Sequence, residues 1–133
     1  MPLTHRLRKH ADYQRAYTAA GRKQWGKQFA YFAAARAPET RSETAGPRVG
    51  LTVPKALGGA VDRNRIKRRV REIVRTHIAL LEGLPVDVIL HPKRSVLEAD
   101  FLVLSREIAM IFRGVAARTN GSKPSQNTES ASN

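Results

Sequence analysis

The sequence contains no cysteine, which excludes disulfide bonds, thiolate catalysis and zinc sites with cysteine ligands. It also has no long hydrophobic segment, since the longest unbroken apolar run covers residues 29–35 and a membrane helix needs ~20 apolar residues. Residues 1–12 are basic and lack the apolar stretch of a secretory signal. We therefore expect a soluble, cytoplasmic protein that does not enter a membrane.

Acidic residues are also scarce, and the resulting charge is the strongest signal in the composition. Only 11 Asp and Glu stand against 24 Lys and Arg, which gives a formal net charge of +13 at pH 7. Such a chain attracts polyanions, with nucleic acid first and anionic membranes second. Most of the basic residues are arginine, whose planar guanidinium binds phosphate with two hydrogen bonds and stacks on bases. An arginine-rich genome would give the same bias.

The length of 133 residues fits one domain, and the hydrophobic pattern predicts the order α-β(β)-β-α-β-α. This order indicates an α+β sandwich, with helices packed against one small sheet. Residues 1–118 would form this domain, and the polar residues 119–133 a disordered tail. The predicted elements are a helix over 1–20, one bent strand or a hairpin over 22–36, a loop over 37–47, a strand over 48–53, a helix from Val61 or Asp62 to Gly83, a strand over 86–91 and a helix over 96–117.

Residues 63–75, which read RNRIKRRVREIVR, hold seven basic residues and one acid, Glu72, for a net charge of +6. On a helix the aliphatic residues would face a core. The opposite side would carry one stripe with two further basic residues beside it, the stripe being Asn64, Arg68, Arg71 and Arg75 and the neighbours Arg63 and Lys67. Asp62 is expected to cap the helix start. The expected core-facing residues are Ile66, Val70, Ile73 and Val74.

The positive side chains on this side of the helix repel one another, because like charges four residues apart destabilise an isolated helix by ~0.2–0.5 kcal/mol per pair. A polyanionic partner relieves this repulsion, so residues 63–75 are the candidate nucleic-acid site. The alternative is a merely solvated helix face, which is the usual role of a charge run.

Aromatic residues are few, at 6% of the chain, and two groups are candidates for base stacking. Tyr13 and Tyr17 are four residues apart and share a helix face, where they could either fill the core or stack on unpaired bases. Phe29, Tyr31 and Phe32 point to both faces of a strand, so at least one turns away from the others.

Residues for protein-borne catalysis are not apparent. The acids Asp12, Asp62, Glu72 and Asp87 are scattered and have no evident catalytic partner. The four histidines do not have metal-ligand spacing, and Gly58-Gly59 lacks the phosphate-loop pattern. The sequence therefore indicates binding, without a metal site or a small-molecule substrate.

The segment RNRIKRRVRE, preceded by VGLTVPKALGGAV, resembles the signature of the protein subunit of bacterial ribonuclease P. The resemblance runs from about Leu7 to Arg113 and includes DYQRAY, QFAYF and DVIL in the family's order. Pro54, Ala56 and Gly59 depart from the family pattern, which usually has Ser, Lys and Asn there.

The resemblance implies the small α/β sandwich shared with a domain of a small-subunit ribosomal protein, with a left-handed βαβ crossover. It implies that the protein binds ribonuclease P RNA, the catalyst, which uses Mg²⁺ to remove the 5′ leader of precursor tRNA. The protein would hold the single-stranded leader in a cleft and carry no catalytic residue itself. The implied RNA-binding residues are Lys55, Arg63, Asn64, Arg65, Lys67, Arg68 and Arg71, and the implied cleft residues are Tyr13, Tyr17 and Phe32.

Two alternatives remain open on the sequence. One is a ribosomal or general nucleic-acid-binding protein that uses the same basic helix without a nuclease partner. The other is a peripheral membrane protein, which is disfavoured because residues 61–81 carry no Trp or Phe anchor.

Overall fold

The structure is a computed structural model that describes residues 6, 7, 9–36 and 46–121. Within these ranges the order of elements is α-β-β-β-α-β-α, which confirms the predicted order. The elements are α1 (His10–Ala20), β1 (Gln24–Trp25), β2 (Phe29–Ala35), β3 (Arg48–Leu51), α2 (Ala60–His77), β4 (Val86–Pro92) and α3 (Phe101–Gly121), with short 3₁₀ turns at Lys55–Leu57, Ile78–Leu81 and Arg94–Leu97.

The four strands form one open sheet in the order β1-β2-β4-β3. β1 and β2 pair antiparallel as a hairpin, which decides between the two interpretations of residues 22–36. β2 and β4 are also antiparallel, whereas β3 and β4 are parallel. Because parallel neighbours need a crossover, α2 connects β3 to β4 as a βαβ unit. The left-handed sense of this βαβ crossover stays a prediction.

The two faces of the sheet carry different layers, and the alternation of side chains explains which residue faces which layer. On β2, Phe29 and Tyr31 pack in the main core with α2 and α3, while Phe32 packs on the other face with α1. On β4, Val88 and Leu90 join the main core and Ile89 joins the α1 side. The structure is therefore a sandwich with the sheet between α1 and the pair α2–α3.

A buried ion-pair network fixes α1 on its face of the sheet. The guanidinium of Arg48 on β3 donates to both carboxylate oxygens of Asp87 on β4, at 2.9 and 3.1 Å. It also donates to Asp12 Oδ2 on α1, at 3.2 Å. These three side chains are nearly inaccessible to solvent, and a buried charge is tolerated when it is paired in this way. The fold thus brings together two acids that are scattered in the sequence.

The boundaries of the helices differ from the sequence prediction in ways that have local causes. α2 begins at Ala60 with Gly59 at its N-cap and without a side-chain cap, so the capping role expected of Asp62 was wrong. Asp62 instead lies 3.8 Å from the Arg94 guanidinium. At its other end α2 passes into a 3₁₀ turn before Gly83.

The predicted final helix, residues 96–117, is divided. Residues 94–97 form a separate 3₁₀ turn and α3 starts at Phe101, where the Asp100 carboxylate accepts the backbone N–H of Leu102. α3 continues to Gly121, so residues 119–121, which were expected to be disordered, are helical. The rest of the predicted tail, most of the predicted 37–47 loop and residues 1–5 lie outside the described residues.

None of the helices in the described ranges is long and apolar enough to cross a bilayer.

Replacing Arg48 with alanine leaves the Asp12 and Asp87 carboxylates buried without this shared cation. We expect the Arg48→Ala variant to lose ~3–5 kcal/mol of unfolding free energy, as when one partner of a buried ion pair is removed. Arg15→Ala is the matched control, since Arg15 also binds Asp12 but from a half-exposed position, and should cost less than about 1 kcal/mol. Urea unfolding followed by circular dichroism measures both, and equally small losses would contradict a structural role for this network.

Candidate RNA interface

The aliphatic side of α2 is buried, as its periodicity predicts. Ile66, Val70, Ile73 and Val74 are at most 2% exposed and belong to the main core. Asn64, Arg65, Arg68 and Arg71 lie on the exposed side of the same helix. The helix is thus attached to the core by one side and presents its basic side to solvent.

Three of the seven basic residues of the 63–75 segment are bound within the protein. The Arg69 guanidinium donates to two carbonyls of the 3₁₀ turn at residues 94–97, those of Val96 (2.7 Å) and Leu97 (3.0 Å). It also donates to the carbonyl of Ala99, just after this turn, at 2.6 Å. Arg63 Nε donates to the Gly58 carbonyl at 3.1 Å, and the Arg75 guanidinium pairs with the Glu72 carboxylate. Arg69 therefore anchors a neighbouring turn and does not belong to the exposed basic surface.

The other four basic residues have no hydrogen bond or ion pair with any part of the chain that the structure describes. We call these four the cationic ridge. They project from a helix whose position is fixed by its buried side, so their charges are held close together without internal neutralisation. This arrangement favours a polyanionic partner over a merely solvated surface. The cationic ridge consists of Arg65, Lys67, Arg68 and Arg71.

Lys55 is exposed on the 3₁₀ turn that leads into α2. The turn ends at Gly58, whose φ of +140° is a conformation that side chains rarely adopt. A Cβ at Gly58 would lie 2.8 Å from Arg94 Nη1, and that guanidinium donates to the Leu57 carbonyl. The tight turn and the arginine together hold Lys55 next to the positive end of α2.

Three of the aromatic residues singled out by the sequence, Tyr13, Tyr17 and Phe32, meet between α1 and the sheet. The ring of Tyr17 makes an edge contact with Phe32 at 4.7 Å between centroids, and lies 6.4 Å from Tyr13. His91 on β4 completes the group, with its ring 5.4 Å from Phe32. All four side chains are half-buried, so each both packs and remains accessible. We call Tyr13, Tyr17, Phe32 and His91 the aromatic cleft.

His91 is the member of the aromatic cleft that sequence reasoning missed. No cluster of three or more metal-ligating side chains occurs in the ranges described, and His91 packs here with aromatic rings. His91 is the last residue of the VDVILH segment and lies two residues after Ile89, so both side chains are on the same face of the strand. This spacing was the signal that could have placed His91 in the aromatic cleft. Its Nε2 lies 3.0 Å from the Tyr17 hydroxyl, and burial followed by the charge of Lys23 lowers its pKa.

Tyr13 joins the aromatic cleft to the cationic ridge. Its hydroxyl accepts the backbone N–H of Leu51 at 3.1 Å, on the outer edge of β3, and burial raises its pKa. Gly50 permits this approach, because a Cβ there would lie 2.6–2.8 Å from the phenol. Tyr13 also lines one small cavity with Arg71 of the cationic ridge. The two surfaces are therefore contiguous.

The arrangement can bind a polyanion by charge and unpaired bases by stacking. Three of the acids noted in the sequence are bound by arginines, Asp12 and Asp87 by Arg48 and Glu72 by Arg75.

Comparison with known proteins decides the family, since the model of the ribonuclease P family matches residues 1–116. The chain belongs to the ribonuclease P protein family. Among its curated relatives, the ribonuclease P protein component of Micrococcus luteus is 36% identical over 115 residues, which cover 80% of this chain and 84% of that protein. The component of Brucella melitensis is 32% identical over 121 residues, 89% of this chain and 84% of the relative.

Solved structures of the ribonuclease P family agree with this fold. The Staphylococcus aureus RNase P protein is 28% identical with a TM-score of 0.65, covering 82% of this chain and 93% of that one. The Thermotoga maritima RNase P protein, at 20% identity and a TM-score of 0.67, covers 82% of this chain and 96% of that one, and supports the fold alone. The family assignment makes the chain a ribonuclease P subunit and does not favour a general nucleic-acid-binding protein.

The lowered pKa of His91 predicts a specific pH dependence of stability. Because the folded state binds this proton less tightly than the unfolded chain, stability is complete above the ordinary histidine pKa of ~6.5. It should fall as the pH decreases through that value towards the lower pKa of the folded state. Urea unfolding at a series of pH values should show a weaker acid dependence in His91→Gln than in the wild type. Identical slopes would contradict this assignment.

Proposed function

We propose that the chain binds the RNA of ribonuclease P through the cationic ridge and holds the 5′ leader of precursor tRNA in the aromatic cleft. Lys55, Arg63 and Asn64 extend the ridge at the start of α2. Endonucleolytic removal of the leader then matures the 5′ end of the tRNA. The observation that carries this proposal is the contact between the two surfaces, because Tyr13 of the cleft and Arg71 of the ridge line one cavity.

The chemistry of the two surfaces fits two different kinds of RNA. Guanidinium and ammonium groups at fixed spacing bind the phosphates of a folded RNA whatever its sequence. Aromatic side chains stack on bases that are free of pairing, as in a single-stranded leader. A protein with both surfaces side by side can therefore fix a single strand relative to a folded RNA.

Catalysis is assigned to the RNA subunit, together with its Mg²⁺. Mg²⁺ binds oxygen ligands, typically carboxylates and phosphates. The ridge and cleft residues include no carboxylate, so they do not fit a magnesium site and the ligands would be RNA phosphates. The role of this chain is then to bind and to orient, with its own side chains held in place by the core.

A first prediction separates the cationic ridge from the general charge of the protein. Arg68→Ala removes one phosphate contact, and the slope of log affinity against log salt for ribonuclease P RNA should decrease by about 0.7–0.9. Arg106→Ala is the matched control, because it removes an exposed arginine from α3 and should leave the slope nearly unchanged. Filter binding over a salt series measures both. Equal decreases in the two variants would contradict a specific role for the ridge.

A second prediction concerns the aromatic cleft. Tyr17→Ala should weaken binding of precursor tRNA by the reconstituted enzyme by ~1–3 kcal/mol, the value of one stacked base, and should leave mature tRNA unaffected. Tyr17→Phe keeps the ring and loses only the hydroxyl, with its hydrogen bonds to His91 and Thr52, so it should retain most of the affinity. An equal loss for mature tRNA, or a Tyr17→Phe variant as weak as Tyr17→Ala, would contradict leader binding by stacking.

A further inference from the structure

Trp25 is the single tryptophan of the chain and lies on the edge strand β1 with 72% of its surface exposed. A large aromatic side chain gains ~1.5–3 kcal/mol by burial, and this one forgoes that gain. Neither the cationic ridge nor the aromatic cleft, as defined above, includes it.

The backbone that carries Trp25 is held firmly at the turn between β1 and β2. The Gly26 N–H donates to the Phe29 carbonyl at 2.8 Å. The buried carboxylate of Glu107 on α3 accepts the N–H groups of Gln28, at 3.0 Å, and Phe29, at 3.1 Å. A Cβ on Gly26 would lie 2.9 Å from the Phe29 carbonyl oxygen and 2.5 Å from Glu107 Oε2, so the close approach of the backbone requires glycine. The exposed indole is therefore presented by a fixed turn.

Two lysines place positive charge beside the indole. Lys23 Nζ lies 4.9 Å from the centroid of Trp25 and 5.8 Å from that of Phe32, so it links the indole to the aromatic cleft. Lys93 Nζ lies 5.9 Å from the indole and donates to the Gly26 carbonyl at 2.7 Å. Both ammonium groups thus lie over the ring of an indole that is mostly exposed. An exposed aromatic side chain with cations this close matches one nucleotide, with its base stacked and its phosphate paired.

The strand register places Trp25 on the path that a leader would follow. Trp25 pairs with Ala30, which pairs with His91, so indole and imidazole lie in one row on the same face of the sheet. β1 forms one edge of the sheet and β3, beside Tyr13 and Arg71, the other. With strands ~4.8 Å apart, the two edges are ~14 Å from each other, a span of a few nucleotides.

We propose that Trp25, with Lys23 and Lys93, forms a second base-stacking subsite that binds a leader nucleotide farther from the cleavage site than the one in the aromatic cleft. This subsite rests on the proposed function, which places the catalytic RNA at the cationic ridge beside β3. A leader that starts there crosses the aromatic cleft and reaches β1 last. The occupant is single-stranded RNA because an unpaired base can stack on the exposed indole while its phosphate pairs with Lys23 or Lys93.

The test uses enzyme reconstituted from the full chain and ribonuclease P RNA, with precursor tRNAs whose leaders are lengthened one nucleotide at a time. Wild-type affinity should rise in two steps, one as the leader fills the aromatic cleft and one as it reaches Trp25. Trp25→Ala should lose only the second step, by at least about fivefold, and Trp25→Phe should retain part of it. Met110→Ala, which removes another exposed apolar side chain from α3, should behave as the wild type.

Trp25 fluorescence gives an independent measurement, since no other tryptophan emits. Precursor tRNA with a long leader should quench it, mature tRNA should not, and an abasic nucleotide at the matching leader position should restore it. Equal emission with all three RNAs, or quenching by anionic phospholipid vesicles in place of leader RNA, would overturn the subsite.

The same series distinguishes this inference from the proposed function. If Trp25→Ala matches the wild type while Tyr17→Ala loses the first step, the second subsite is wrong and the aromatic cleft stands. If wild-type affinity does not depend on the leader at all, the proposed leader binding is wrong and the subsite fails with it.

Discussion

The aromatic cleft depends on the ion pairs that Arg48 makes beneath α1. Arg48 binds Asp87 on β4 and Asp12 on α1, and thereby fixes the helix relative to the sheet. Tyr13 and Tyr17 follow Asp12 on the same helix, so their distances to the sheet are set by this contact. Without it the small apolar cluster under α1 would be the main attachment of the helix. A buried charge network thus sets the geometry of the aromatic cleft.

Two groups of basic residues in this chain differ in what they bind. Arg48 and Arg69 are turned inward, to carboxylates and to backbone carbonyls respectively, and stabilise the fold. The cationic ridge is attached to the same helix as Arg69 but has no partner within the described residues. A net charge of +13 is therefore not spread evenly. The charge of the cationic ridge is left without an internal partner in the described residues, and it lies beside the aromatic cleft.

Local patterns predicted the parts of the structure that local forces determine. The buried aliphatic residues of α2 follow from helix periodicity and were predicted correctly. Strand alternation also predicted that at least one of Phe29, Tyr31 and Phe32 turns away from the others, and the structure shows that it is Phe32. Contacts between distant residues do not follow from periodicity, so the roles of Arg48, Arg69 and His91 became evident only in the fold. The cap assigned to Asp62 was wrong because the preceding glycine turn starts the helix earlier. The RNA contacts of each site residue stay predictions.

The most direct test of the account is cleavage of a precursor tRNA by bacterial ribonuclease P RNA at low Mg²⁺, with and without this protein. If the chain binds both the catalytic RNA and the leader, its addition should increase cleavage at the mature 5′ end well above the rate of the RNA alone. Cleavage that is unchanged by the protein, together with tight binding to ribosomal RNA, would contradict the account.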